Sequence, residues 1–186
     1  MVAKSFTGGA KLEAKLKEIA KRVEGSHSLR VGFLEGSRYP GENEVTAAQT
    51  AFWLNYGHGN TPARPFFTDL IEAKADSWGD SLARMLVLND YDVDATMNQL
   101  GIGIAGQVRQ AIMDLDSPSL SPVTMMLRKM LKEDPHLEVT GATVGEAARR
   151  VAEGESTSGV STKVGVHTGH MLNSVSYEVG NEPESA

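Results

Sequence analysis

Three stretches of the chain hold residue types that could do chemistry. Gly101-Ile-Gly103-Ile-Ala-Gly106 has the spacing of a dinucleotide-binding turn, in which glycines let backbone approach a pyrophosphate at a helix N-terminus. That chemistry needs a strand in front of the first glycine. The preceding Asp92-Val-Asp-Ala-Thr-Met-Asn-Gln is polar with helical spacing, so the segment reads as the interior of a helix. A nucleotide-binding enzyme built on it stands only as an alternative reading. The second stretch is His167-Thr-Gly-His170. Zinc would need at least one further ligand. His58 and His136 could in principle converge on the pair, but a loop histidine without a metal is the ordinary case, and these are read so. No Gly-x-Ser-x-Gly elbow and no phosphate-cradling Gly-Lys-Ser/Thr loop occurs, and the carboxylates are scattered. No catalytic, cofactor-binding or metal residue is assigned, and the chain reads as a protein that is not an enzyme.

The third stretch is Leu54-Asn-Tyr-Gly-His-Gly-Asn-Thr-Pro-Ala-Arg-Pro-Phe-Phe67. Gly57 and Gly59 can take positive φ, while Pro62 and Pro65 fix their own φ and push the residue before each out of the α region. The spacing predicts a rigid corner, with Pro65 as the first residue of the next helix. Arg64 is its one charged group, placed to tie down loop carbonyls.

The elements that position these residues follow from periodicity. Leu12, Leu16, Ile19 and Val23 give the first helix, Gly8 to Val23, one apolar stripe, with Gly25 at its C′ position. Leu29, Val31 and Phe33 alternate in a strand over 28–34, followed by a turn-rich loop holding Gly36, Tyr39, Pro40 and Gly41. Asn43 is placed to cap a helix through Val45, Ala48 and Phe52 that runs to the corner. The strongest helix spans Phe66 to Leu88, with the stripe Phe67, Ile71, Lys74, Trp78, Leu82 and Met85. A second long helix, capped by Asp94, runs to about Met113 with the stripe Met97, Gly101, Ile104, Val108 and Ile112. Its glycines each cost about 1 kcal/mol relative to alanine, which predicts close approach of another backbone. Beyond Asp116 the expectation is an insertion or arm over 116–166. It carries short helices at Val123 to Lys132 and, in a capping box of Thr143 and Glu146, at Thr143 to Glu153, then a mobile Ser/Thr/Gly-rich run from Glu155 to Val166. A second strand is expected over Leu172 to Val179, with a fraying tail after it. Two strands alone are marginal in water, so the fold class is α+β: a small antiparallel sheet packed against two long helices, its open edge covered by a neighbour.

At 186 residues the chain supports one domain over 1–186. Cysteine is absent, which excludes disulfides and zinc–thiolate sites. No run of 18 apolar residues exists and the start lacks an apolar leader segment, so a soluble protein of the cytoplasm, without a membrane partner, is expected. The net charge of −6 is uneven: residues 1–40 carry +4, which leaves −10 for the rest. An acidic body argues against a dedicated DNA reader. Lys11, Lys15, Lys21 and Arg22 on the first helix remain the residues that could touch DNA or an acidic partner, the basis of a DNA-binding module as a further alternative.

Taken in order, several segments resemble a known family. Val31-Gly32-Phe33-Leu34-Glu35-Gly36 with Tyr39-Pro40-Gly41, then Leu54-Asn-Tyr56-Gly57, then Pro62-Ala-Arg64-Pro65-Phe66-Phe67, then Leu120-Ser-Pro-Val-Thr124 with Arg128, and finally Thr168-Gly169-His-Met-Leu-Asn-Ser174-Val175 are similar to the motifs of tail-completion or neck proteins of long-tailed bacteriophages, the group that includes the minor tail protein Z of phage lambda. The resemblance covers roughly residues 29–88 and 118–179, and the ordered set is more specific than any one motif. His167 departs from the family's usual Asp, and Lys132 to Val166 is longer than the usual link. The resemblance implies a virion protein of the neck, assembled in the bacterial cytoplasm. It would complete the tail and join it to the head as a homo-oligomeric ring, of six copies, around the DNA channel. Its partners would be sister copies, the tail tube or tail terminator protein, the head connector or stopper protein, and genomic DNA passing without sequence-specific contact. No cofactor is implied. Gly32, Tyr39, Tyr56, Gly57, Pro62, Arg64, Pro65, Phe66, Thr168, Gly169 and Ser174 would carry shape, with Arg64 and Phe66 bracing the corner.

Overall fold

In the computed structural model, which describes residues 9–25, 27–34, 45–165 and 169–180, helices and one sheet alternate as α1 (Gly9–Arg22), β1 (Ser28–Phe33), α2 (Ala47–Tyr56), α3 (Phe66–Leu88), α4 (Val93–Met113), α5 (Pro122–Glu133), α6 (Gly141–Ala152), α7 (His170–Asn173) and β2 (Val175–Gly180). The class is α+β. β1 and β2 pair antiparallel, Ser28 opposite Gly180 and Phe33 opposite Val175. The chain divides into two compact units, each built from separated stretches: 1–34, 69–108 and 175–186 form one, and 35–68 with 109–174 form the other. The whole of 116–166 lies in the second unit.

In the first unit the sheet packs on α4 at Gly101, where an added Cβ would stand 2.4 Å from the Tyr177 ring and 3.0 Å from a Leu29 methyl. Side chains, and not backbone, therefore make the close approach that this glycine permits. Among the described residues outside α4's own backbone and the chain neighbours, nothing lies within 4 Å of such a Cβ at Gly103 or Gly106, so the expected close approach does not extend to them. Leu100, Ile104, Ala105 and Val108 form the buried face of α4, close to the periodic stripe. Trp78 Nε1 on α3 donates to Gln107 Oε1 on α4 at 2.7 Å, and Asn89 Nδ2 joins Thr96 Oγ1 at 3.1 Å. α4 starts one residue before Asp94: Asp92 Oδ1 accepts from the Ala95 N–H at 2.9 Å and takes the capping role expected of Asp94. The α3 stripe is only half-covered, with Trp78, Leu82 and Met85 half-buried and Ile71 41% exposed. α1 buries nothing fully, and Leu12 and Leu16 are exposed.

In the second unit α5 and α6 pair around Met126, Met130 and Ala147, flanked by Val123, Leu127, Leu137 and Val151. Thr140, and not Thr143, caps α6: its hydroxyl accepts from the Thr143 N–H, and the Thr143 hydroxyl returns to the Thr140 N–H. Glu146 is left to pair with Arg149 and Arg150. α2 is capped by Thr46 with Gln49 in the reciprocal position, while Asn43, the expected cap, lies outside the described residues. The segment expected to be mobile is held over 155–163 by α5: Arg128 donates to the carbonyls of Ser161 and Lys163, Lys129 to Ser156 and Lys132 to Gly159. The predicted second strand starts late, because residues 170–173 turn as α7 before β2 begins.

Candidate functional site

Proline and glycine build the corner between α2 and α3 as their types require. His58 and Thr61 exchange backbone hydrogen bonds of 3.1 and 2.9 Å, closing a tight turn over 58–61. The Arg64 N–H then donates to the Leu54 carbonyl at the end of α2 at 2.8 Å. Gly57 takes φ 82°, and a Cβ there would meet the Ala63 nitrogen at 3.0 Å and the Thr61 carbonyl at 3.1 Å, so only glycine fits. Pro65 precedes α3 without being part of it, since the helix begins at Phe66.

Asn55 is the residue that sequence reasoning left without a role. It is 4% exposed; its Oδ1 accepts from the Phe67 and Thr68 N–H groups at 3.0 and 3.3 Å, and its Nδ2 donates to Thr68 Oγ1 at 2.8 Å. A side chain from the last turn of α2 thus satisfies N–H groups at the start of α3 that have no partner inside the helix. An amide on a helix with so little amphipathic contrast was the available signal.

The Arg64 guanidinium is buried, 3% exposed, and donates only to carbonyls: Nε to Pro118 at 2.8 Å, Nη1 to Pro62 at 3.3 Å and Nη2 to Ser119 at 3.3 Å. The Ser117–Pro118 peptide is cis. Arg64 thereby pins the linker ahead of α5 to the corner, a longer reach than bracing α3. Phe66 is buried beside it in sequence, its ring edge-on to Phe67 with centroids 6.2 Å apart. A cavity of about 610 Å³ opens over Arg64, with Thr50, Leu54, Ser121, Thr124, Arg128 and Met171 among its lining. Among the described residues no carboxylate, histidine or cysteine lines it, and they supply no general acid–base pair there. Arg128 is 8% exposed. Burial pushes both guanidinium pKa values down, and no acid opposes that shift.

Tyr39 and Thr168 are not among the described residues. Gly32 is buried in β1 opposite Ser176. Tyr56 is exposed and stacks obliquely on Phe52 at 4.8 Å. Gly169 takes φ 68° ahead of α7, and the buried Ser174 hydroxyl donates to the His170 carbonyl at 2.8 Å. Gly101 to Gly106 sit in the middle of α4 with no helix N-terminus to offer a phosphate, which removes the geometric basis for a dinucleotide site. Among the described residues no three metal-ligating side chains converge; His167 is outside them. On α1, Lys15 pairs with Glu18, Lys17 with Glu13, and Arg22 with both Glu18 and Asp90, so much of the basic face is already neutralised. Asp90 holds the Arg22 pKa up, and Arg22 holds that of Asp90 down. No described helix is long and apolar enough to cross a membrane.

Comparison of the chain with protein-family models, with curated proteins and with solved structures finds no match.

Proposed function

We propose that the chain is a structural protein of the neck of a long-tailed bacteriophage, completing the tail as a ring of sister copies around the DNA channel and joining it to the head. The observation that carries this reading is the unfinished sheet. β1 and β2 pair only with each other among the described residues, and a strand edge without a partner is a template for another chain. Apolar side chains left at the surface of the same unit, Leu12, Leu16, Val87, Leu88 and Ile102, support it, since exposed apolar area marks association surfaces. The ordered motifs from Val31 to Val175 supply the family, and the acidic body suits a wall that DNA passes without counterion release. A closing ring needs head-to-tail contacts. Native mass spectrometry and negative-stain imaging, with and without purified tail tubes, test it. Rings are expected at least on tail tubes. Absence of any ring under both conditions overturns the reading.

A further inference from the structure

We propose that the cavity over Arg64 and Arg128 is an anion-binding site that takes an oxyanion, carboxylate or phosphate, carried on a small apolar body. A buried cation is costly unless something neutralises it. Arg22, Arg149 and Arg150 all sit against carboxylates. Arg64 and Arg128, both more than nine-tenths buried, have no carboxylate within ion-pair distance among the described residues, and burial alone acts on their pKa values. Arg64 places one donor from each of its three nitrogens on a carbonyl. Arg128 commits only Nη1, to Ser161 at 2.6 Å and Lys163 at 2.8 Å. Its Nε and Nη2 bond to no described residue and are not sealed from solvent; that edge of a guanidinium is the one that grips an oxyanion through two parallel hydrogen bonds.

The rest of the lining agrees in sign. Ser121 caps α5 with Pro122 in its first turn, so the positive end of a 12-residue helix dipole faces this wall, and Thr50 and Thr124 add hydroxyls. Leu54, Leu120 and Met171 supply apolar surface, and about 610 Å³ is room for more than a bare ion. The site does not depend on the neck reading.

The test is thermal unfolding and calorimetry on the full chain with three probes: inorganic phosphate, glutarate, and the blocked tripeptide Ac-Leu-Glu-Leu-NH2. Each is compared with sodium chloride at the same ionic strength. At least one probe is expected to raise the midpoint beyond chloride and to bind saturably. The stronger of glutarate and tripeptide distinguishes a free acid from a side chain on a peptide. Arg128→Gln is expected to weaken binding about tenfold or more, with Arg128→Lys recovering part of it. Because Arg128→Gln also loosens the 161–163 segment, Thr50→Glu is the second variant. It places a carboxylate in the lining and should abolish probe binding while keeping the fold by circular dichroism. The proposal is overturned if no probe exceeds chloride, or if binding persists in both Arg128→Gln and Thr50→Glu.

Discussion

Arg22 in one unit stands at the surface between Glu18 and Asp90, while Arg64 in the other is buried against the carbonyls of Pro62, Pro118 and Ser119. The first arrangement is electrostatic and open to water, so it is screened by salt and contributes little to stability. The second gathers three loop carbonyls onto one buried guanidinium, so its loss removes three charge-assisted hydrogen bonds at once. The same residue type therefore neutralises charge in one place and ties the chain together in the other.

The largest expected effect separates these two. Arg64→Ala should cost about 3–5 kcal/mol in urea unfolding, because three carbonyls lose a charged donor at once. Arg22→Ala should leave the midpoint close to that of the unaltered chain. Equal losses would break the comparison.

A second contrast lies within α4. Gly101→Ala should destabilise by about 1–3 kcal/mol, since the new methyl collides with the Tyr177 ring. Gly103→Ala, with open space around it, should stabilise by about 0.5–1 kcal/mol through helix propensity. Thermal midpoints moving in the same direction for both variants would show that the sheet does not seat on Gly101 in solution.

Capping gives a smaller effect. Thr140→Ala should cost about 1 kcal/mol by removing the hydroxyl that holds the Thr143 N–H, measured by chemical denaturation.

The smallest effect sharpens the electrostatic side. Hydrogen bonds from Arg149 and Arg150 hold the Glu146 pKa down, from 4.5 to about 2. A depressed folded-state pKa means that the contribution is fully present above about 4.5 and is lost as pH falls toward about 2. Acid titration of α6 stability should show that loss, and Glu146→Gln should flatten it. Hydrogen bonds from Arg64 to carbonyls involve no titrating partner and should hold through the same window.

Much of the fold was legible in the sequence because local chemistry decides it. The 3.6-residue spacing from Phe66 to Leu88 delimits α3 as observed, and the prolines and glycines of 57–65 specify the corner. Helix starts were less legible, as Thr140 against Thr143 shows: two hydroxyls three apart can each cap, and the chain direction on either side chooses between them. The composition of Glu155 to Val166 predicts a mobile run, yet α5 holds its described part over 155–163 through Arg128, Lys129 and Lys132. Composition reports what a segment lacks within itself and says nothing of donors supplied from elsewhere.

For the candidate site the division is the same. The sequence alone determined that Arg64 belongs to a stiff turn, because φ restriction at Pro62 and Pro65 and freedom at Gly57 are properties of single residues. Only the tertiary structure decided that Arg64 and Arg128 line one cavity with no carboxylate among its described residues, since the positions are far apart along the chain and their shared environment exists only once α5 and the corner have folded. Burial and charge balance belong to the assembled surroundings of a side chain.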